Sequence, residues 1–446
     1  MQKSHQFSST FGFLMAATGF AVGLGNIWRF PYITGENGGG AFVVVYLGCV
    51  ILIGIPVLIA EILLGRRGKD TPPHAMHNLA KTEFISPRWR HVGHLNLATA
   101  FVILGTYSVV AGWVLWYLFK ALSIGFINTT ASDSATAFAS VIQSSSNMLL
   151  WTTLSLSITG AIIYQGVNKG IERSVRVMMP AFFILITILV IYNAFQDGFV
   201  TAVSYLFTPD FSKVSGETFL AAVGQAFFSI GVGMAGMMIF GSYLPHKVSI
   251  TRCVLIIIVI DTLIAIMAGL MIFPMVFRFG LDPAGGAGLI FQTLPVAFGQ
   301  MKGGQGIAVI FFTLLSVAAI TSMVGLLEPL VAWIEKTFNY SRKKSTLITT
   351  YCVFCVGVLS ILSYDIISNW ELLGRDLNGI LDFFANQIML PVGGLLIALF
   401  TAWKVKKSSL REELYEMPDT LFETWHLLLR FLLPPAITAI IITGLL

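Results

Sequence analysis

Three short stretches place oxygen-bearing side chains and flexible backbone inside otherwise apolar sequence. The first reads Thr18-Gly19-Phe20-Ala21-Val22-Gly23-Leu24-Gly25-Asn26, with Arg29 and Pro31 close behind. The second, Gln225-Ala226-Phe227-Phe228-Ser229-Ile230-Gly231-Val232-Gly233-Met234-Ala235-Gly236, also centres on glycines. The third is Ala318-Ala319-Ile320-Thr321-Ser322. A glycine in a helix interior costs about 1 kcal/mol relative to alanine, so the two glycine clusters predict helices that unwind partway. Unwound backbone at membrane depth is tolerated only where protein or a water-filled cavity satisfies it. Freed carbonyls coordinate cations, and the N-terminal ends of half-helices attract carboxylates. Asp261 adds an ionisable group within an apolar run. Such a group costs roughly 2.5–3.5 kcal/mol or more and is usually functional.

Each feature also has a plainer explanation. Gly19 and Gly23, four apart, fit a tight helix-packing seam. The Thr321 and Ser322 hydroxyls could bond back to their own helix. Asp261 could be a structural acid held by a nearby donor. The stretch Gly231 to Gly236 matches the G-x-G-x-x-G dinucleotide pattern, but it has no βαβ context. Gly38, Gly39 and Gly40 lack the Lys-Ser/Thr of a phosphate loop and read as a flexible turn.

The elements that hold these stretches are membrane spans. Of the 446 residues 56% are hydrophobic and 11% charged, and many apolar runs exceed the ~18 residues of a membrane-crossing helix. Eleven spans are expected, near 11–35, 41–65, 95–122, 148–165, 174–195, 218–243, 252–279, 306–334, 344–364, 379–403 and 422–446. The chain reads as one all-α transporter domain. Its first repeat is about 11–195, its second about 218–403, and its last helix about 422–446. The two glycine clusters fall in the first and sixth spans, the corresponding positions of two five-helix halves, as an inverted repeat predicts. No cleavable signal peptide is expected, because the run from Phe11 leads straight into further spans.

Most of the 27 Lys and Arg fall in alternate loops, including Arg66, Arg67 and Lys69, Lys169 and Arg173, Lys247 and Arg252, Arg342 to Lys344, and Lys404 to Lys407. The positive-inside rule puts those loops and the N-terminus in the cytoplasm and the C-terminus outside. The net charge of +5 sits in short loops and does not suggest nucleic acid. Cys49, Cys253, Cys352 and Cys355 lie in apolar runs and are expected to be small buried hydrophobes. All seven histidines lie in or near cytoplasmic segments, which disfavours an intramembrane enzyme. A channel or a non-transporting sensor is a weaker alternative, because two matched breaks favour alternating access.

The run Gly19 to Tyr32, followed by Glu36-Asn37-Gly38-Gly39-Gly40-Ala41-Phe42, closely resembles the first-span signature of the neurotransmitter:sodium symporter family. Gly54-Ile55-Pro56 with Glu61 and Gly65-Arg66, Gly224 to Ser229, and Ala318 to Ser322 resemble further family motifs. The likeness runs the length of the chain in order, and the form resembles a bacterial amino-acid transporter.

The resemblance implies two sodium sites beside a substrate pocket. One sodium would take the Ala21 carbonyl, Asn26, Ser229, Asp261 and the substrate carboxylate. The other would take carbonyls of Gly19, Val22 and Ala318 with the Thr321 and Ser322 hydroxyls. The substrate's polar end would meet Ala21, Leu24, Gly25, Tyr107, Phe228, Ser229 and Ser322. Its side chain would face Phe20, Ile103, Tyr107, Phe228, Gly231, Met234, Gly325 and Leu326. That apolar pocket favours leucine, isoleucine, valine or methionine, with aromatic amino acids as the alternative. Arg29 and Asp382 would pair as an outer gate, and Glu61 would accept hydrogen bonds from the broken helices. Tyr46, Gln225 and Ser229 match chloride-site positions in relatives. Ala265 supplies no hydroxyl there, and Asp261 supplies a negative charge, so no chloride requirement is expected. Proton exit through Asp261 on the return step is a further possibility. The family's N-terminal Arg and Trp are replaced by Lys3-Ser4-His5-Gln6-Phe7, which leaves a latch between Lys3 and Glu335 as the candidate inner gate. The expected setting is a cell inner membrane, with an amino acid, sodium ions and the lipid bilayer as partners.

Overall fold

The computed structural model describes residues 6–284, 288–372 and 374–445. Long helices dominate them. We label α1 Thr10–Ala21, α2 Gly25–Glu36, α3 Gly40–Gly68, α4 Pro87–Ser123, α5 Ser145–Tyr164 and α6 Val167–Ala194. Next come α7 Gly216–Ile230 and α8 Gly236–Ser242. The remainder are α9 Ile250–Arg278, α10 Gly304–Phe338, α11 Arg342–Tyr364, α12 Leu377–Trp403 and α13 Asp419–Gly444. Among the described residues nine helices are long and apolar enough to cross a membrane, and α1 with α2 forms one further candidate, bent by 46° at its break. A chain with this many apolar spans is a multi-pass membrane protein.

The core is made by α10, α4 and α3, whose most apolar windows are 72%, 67% and 61% buried. Helices α6 and α13, at 28% and 22%, form the periphery and leave their apolar faces outward. Cys352 and Cys355 sit on such an outward face of α11 and are exposed, whereas Cys49 and Cys253 are buried. Their burial was overestimated because an apolar run does not say which face meets protein and which meets lipid.

Proline shapes several helices in one way. A π-helical turn ends two residues before Pro31, Pro56, Pro295, Pro391 and Pro434. Proline offers no N–H and clashes with the carbonyl four residues back, and a widened turn absorbs that clash without ending the helix. The connections expected as loops contain short helices, notably Pro72–Thr82, Ala131–Ile142 and Phe199–Phe207. Ala131–Ile142 starts on a capping box between Thr130 and Asp133, a local signal that the sequence carries.

Candidate functional site

Between α1 and α2 the chain leaves the helical path over residues 22–24. Val22 is extended, with φ −76° and ψ 97°. The amides that would close the next helical turn go elsewhere. Gly23 N donates to Asn26 Oδ1 (3.2 Å), Leu24 N to the Tyr107 hydroxyl (3.2 Å), and Asn26 N to the Gly23 carbonyl (3.1 Å). The carbonyls of Gly19, Phe20 and Val22 thereby lose their ordinary donors four residues on. This is the local condition for a cation-coordinating backbone.

The second break spans residues 231–235. Gly231 adopts the left-handed conformation (φ 72°, ψ 29°), closing α7, and Gly233 also has positive φ. Both tolerate this because they lack a Cβ. Gly233 N donates to Glu61 Oε2 (2.9 Å), and Glu61 is fully buried. Thus Glu61 on α3 receives a donor from the second break.

Two clusters of oxygens flank the first break. In one, Asn26, Ser229 and Asp261 converge from α2, α7 and α9, all buried. Ser229 Oγ lies 2.8 Å and 3.0 Å from the two Asp261 carboxylate oxygens. Asn26 Nδ2 donates to Ser229 Oγ (3.0 Å) and Asp261 Oδ1 (2.8 Å). The Tyr46 hydroxyl donates to Asp261 Oδ2 across 3.5 Å. Asn26 therefore points its amide nitrogen at the acid and its oxygen at Gly23 N. Coordinating a cation here requires the amide to rotate and present Oδ1 instead, and either orientation is stereochemically open to an Asn side chain.

In the other cluster, Ser322 Oγ donates to the carbonyls of Phe20 (3.2 Å) and Gly19 (3.5 Å) across the α1–α10 contact. Thr321 Oγ1 bonds back to Val317 O (3.0 Å) and Ala318 O (3.1 Å) on its own helix. A Cβ at Gly19 would stand 3.3 Å from Thr321 Cβ and 3.0 Å from Met179 Sδ. Gly19 is thus a packing seam whose carbonyl has exchanged its helical donor for the Ser322 hydroxyl. Thr321 follows the plainer explanation in this structure, its hydroxyl bonded to its own helix.

A small cavity of about 20 Å³ lies beside the first break, lined by Phe20, Ala21, Gly23, Gly25, Ile103, Tyr107, Phe228, Gly231, Met234, Ser322 and Leu326. Ten of the expected substrate residues line it. Gly23 joins them: the sequence marked it as part of the break but not as wall. Leu24 reaches the cavity only through its amide to Tyr107, Ser229 belongs to the Asp261 cluster, and Gly325 backs the Phe20 ring.

On one side of the cavity Arg29 stacks over Phe228, 5.0 Å from its centroid, and Nη1 donates to Gln225 Oε1 (2.9 Å). Asp382 Oδ1 accepts from Asn386 Nδ2 (2.7 Å). Arg29 and Asp382 are therefore not joined: each has a nearer partner, with a 210 Å³ cavity beside Arg29. On the opposite side the sequence missed a buried network. Glu328 Oε1 accepts from the Tyr243 hydroxyl (2.7 Å) and from Arg342 Nη1 (3.2 Å), and Arg342 Nη2 pairs closely with Oε2. Phe7 packs edge-on against Phe13, Phe240 and Tyr243. Lys3 lies outside the described residues, so the Lys3–Glu335 latch does too. Glu335 lies 3.5 Å from Arg342, and Lys336 pairs with Asp70 at 3.6 Å. Glu328 had one readable hint, an acid inside an apolar helix.

Two broken helices around a central cavity, flanked by oxygen clusters, define a membrane transporter that couples a cation to a small solute. The family model described as the Sodium:neurotransmitter symporter family matches residues 4–139 and 133–446, and the chain belongs to that family of sodium-coupled transporters. It is 37% identical over 439 residues to the uncharacterized sodium-dependent transporter YhdH of Bacillus subtilis, covering 98% of this chain and 96% of that one. A sodium-dependent transporter of Haemophilus influenzae is 31% identical, with 98% of each chain covered. The crystal structure of MhsT in complex with L-phenylalanine superposes with a TM-score of 0.92 at 38% identity, covering 99% of this chain and all of that one.

Proposed function

We propose that this protein is a sodium-coupled symporter that imports a neutral, hydrophobic amino acid across a cell inner membrane by alternating access, without requiring chloride. The observation that carries this reading is the first helix break. Its freed carbonyls and the Ser322 cluster border an apolar cavity with no side-chain acid among its lining residues, and the Asp261 cluster follows directly in the chain through Gly25–Asn26 and Phe228–Ser229. Sodium is a hard cation that prefers several oxygens, and between them the two clusters offer carbonyl, hydroxyl, amide and carboxylate oxygens. One sodium would lie among Ala21, Asn26, Ser229 and Asp261, and the other among Gly19, Val22, Ala318, Thr321 and Ser322. The fold reading is eleven spans in a 5+5 inverted repeat with a final helix, N-terminus cytoplasmic and C-terminus outside. Arg29 and Asp382 approach each other when the outer side closes.

Aliphatic side chains such as leucine, isoleucine, valine and methionine suit the pocket. Phenylalanine bound to MhsT favours a second reading in which aromatic amino acids are carried. Uptake of labelled leucine and phenylalanine into proteoliposomes under an inward sodium gradient, with and without chloride, tests both. Sodium-dependent, chloride-independent accumulation is expected. Binding without accumulation would point to a sensor, and no binding of any amino acid would overturn the substrate class.

A further inference from the structure

Three glycines from three elements leave one slot, and Phe20 fills it. Gly231 closes α7, Gly236 opens α8, and Gly325 lies within α10. A Cβ added at Gly231 would stand 2.7 Å from Phe20 Cε1, and Cβ atoms at Gly236 and Gly325 would overlap the ring outright. The ring is 4% exposed and meets Phe240 edge-on at 6.1 Å. What remains of the cavity, about 20 Å³, has room for roughly one water.

We infer that Phe20 is the residue that sets the size of the accepted side chain, a conclusion that rests on the amino-acid reading above. With the ring in its slot, the pocket opens only as far as small and branched aliphatic side chains require. An aromatic side chain needs the volume that the Phe20 ring holds, and it enters only where that ring leaves the slot. The glycines matter because any Cβ there pushes the ring toward the substrate. The slot and the pocket are thus two compartments sharing one ring, and their volumes trade against each other.

The test is competition binding on the full chain in proteoliposomes, with alanine, leucine, phenylalanine and tryptophan as competitors. Phe20→Ala should shift the ratio of aromatic to aliphatic affinity by at least about 10-fold toward the aromatic, since one methylene in an apolar pocket is worth roughly 10–200-fold. Phe20→Leu should shift it less, in the same direction, and keeps an apolar filler should Phe20→Ala not fold. Gly325→Ala should weaken leucine more than alanine in the parent protein, and should do little in the Phe20→Ala background. An unchanged ratio in both Phe20 variants, or an equal Gly325→Ala effect in both backgrounds, overturns the inference. Failure of the parent protein to bind any amino acid overturns the substrate reading instead, so the two failures are distinguishable.

Discussion

The two oxygen clusters beside the first break differ in one respect: one contains a carboxylate and the other contains only neutral dipoles. Around Asp261, three helices deliver donors to an acid that is fully buried. Around Ser322, hydroxyls meet carbonyls, and Thr321 is already satisfied by its own helix. A buried charge interacts strongly with a cation and is costly when left uncompensated. A neutral hydroxyl–carbonyl contact contributes about 0.5–1.5 kcal/mol net. On the proposed sodium-coupled reading, the difference teaches that losing the acid of the charged cluster should cost far more than losing a hydroxyl of the neutral one.

Four variants break or sharpen that contrast, in descending size. Asp261→Ala should weaken sodium binding by about 3 kcal/mol or more, over 100-fold, read by sodium titration of thermal stability or of substrate uptake. Asp261→Asn keeps the shape but removes the charge. Its uptake should fall sharply and recover about 10-fold on adding chloride, which supplies the missing anion; recovery without chloride would break the contrast. Ser322→Ala and Thr321→Ala together should weaken sodium binding by about 10-fold, the sum of two neutral contacts. Tyr46→Phe removes only a 3.5 Å contact to Asp261. It should shift sodium affinity by about threefold or less, and a larger loss would mean that the Tyr46 hydroxyl orients the acid.

Much of the site was readable because its signals are local. Gly19, Gly23 and Gly25 are poor helix formers in one short stretch, and Gly231 and Gly233 repeat the pattern, so both breaks could be placed. Asp261 was readable as an acid that an apolar run would not keep without reason. What escaped was set by distance along the chain. Glu328 lies inside the long helix α10, yet Tyr243, 85 residues away just past α8, and Arg342 at the start of α11 hold it. Arg29 was expected to pair with Asp382, but Gln225 lies nearer, and no pattern in the sequence ranks those two partners. Glu172 stands among Lys169, Arg173 and Arg176 in the sequence. It is buried and accepts from Ser8 N (2.9 Å) and Ser8 Oγ (2.6 Å), tying the start of α1 to α6.

The sequence by itself determined that this chain is a helical membrane protein, where two of its helices must break, and which residue types could hold a cation. Those follow from hydropathy, glycine propensity and the cost of a lone acid in an apolar run, which are properties of short windows. Only the tertiary structure decided that Asn26 turns its amide nitrogen to Asp261, that Thr321 bonds its own helix while Ser322 crosses to α1, and that Phe20 occupies the space left by Gly231, Gly236 and Gly325. Each of those depends on atoms brought together from distant helices, whose positions are fixed by the packing of the whole bundle.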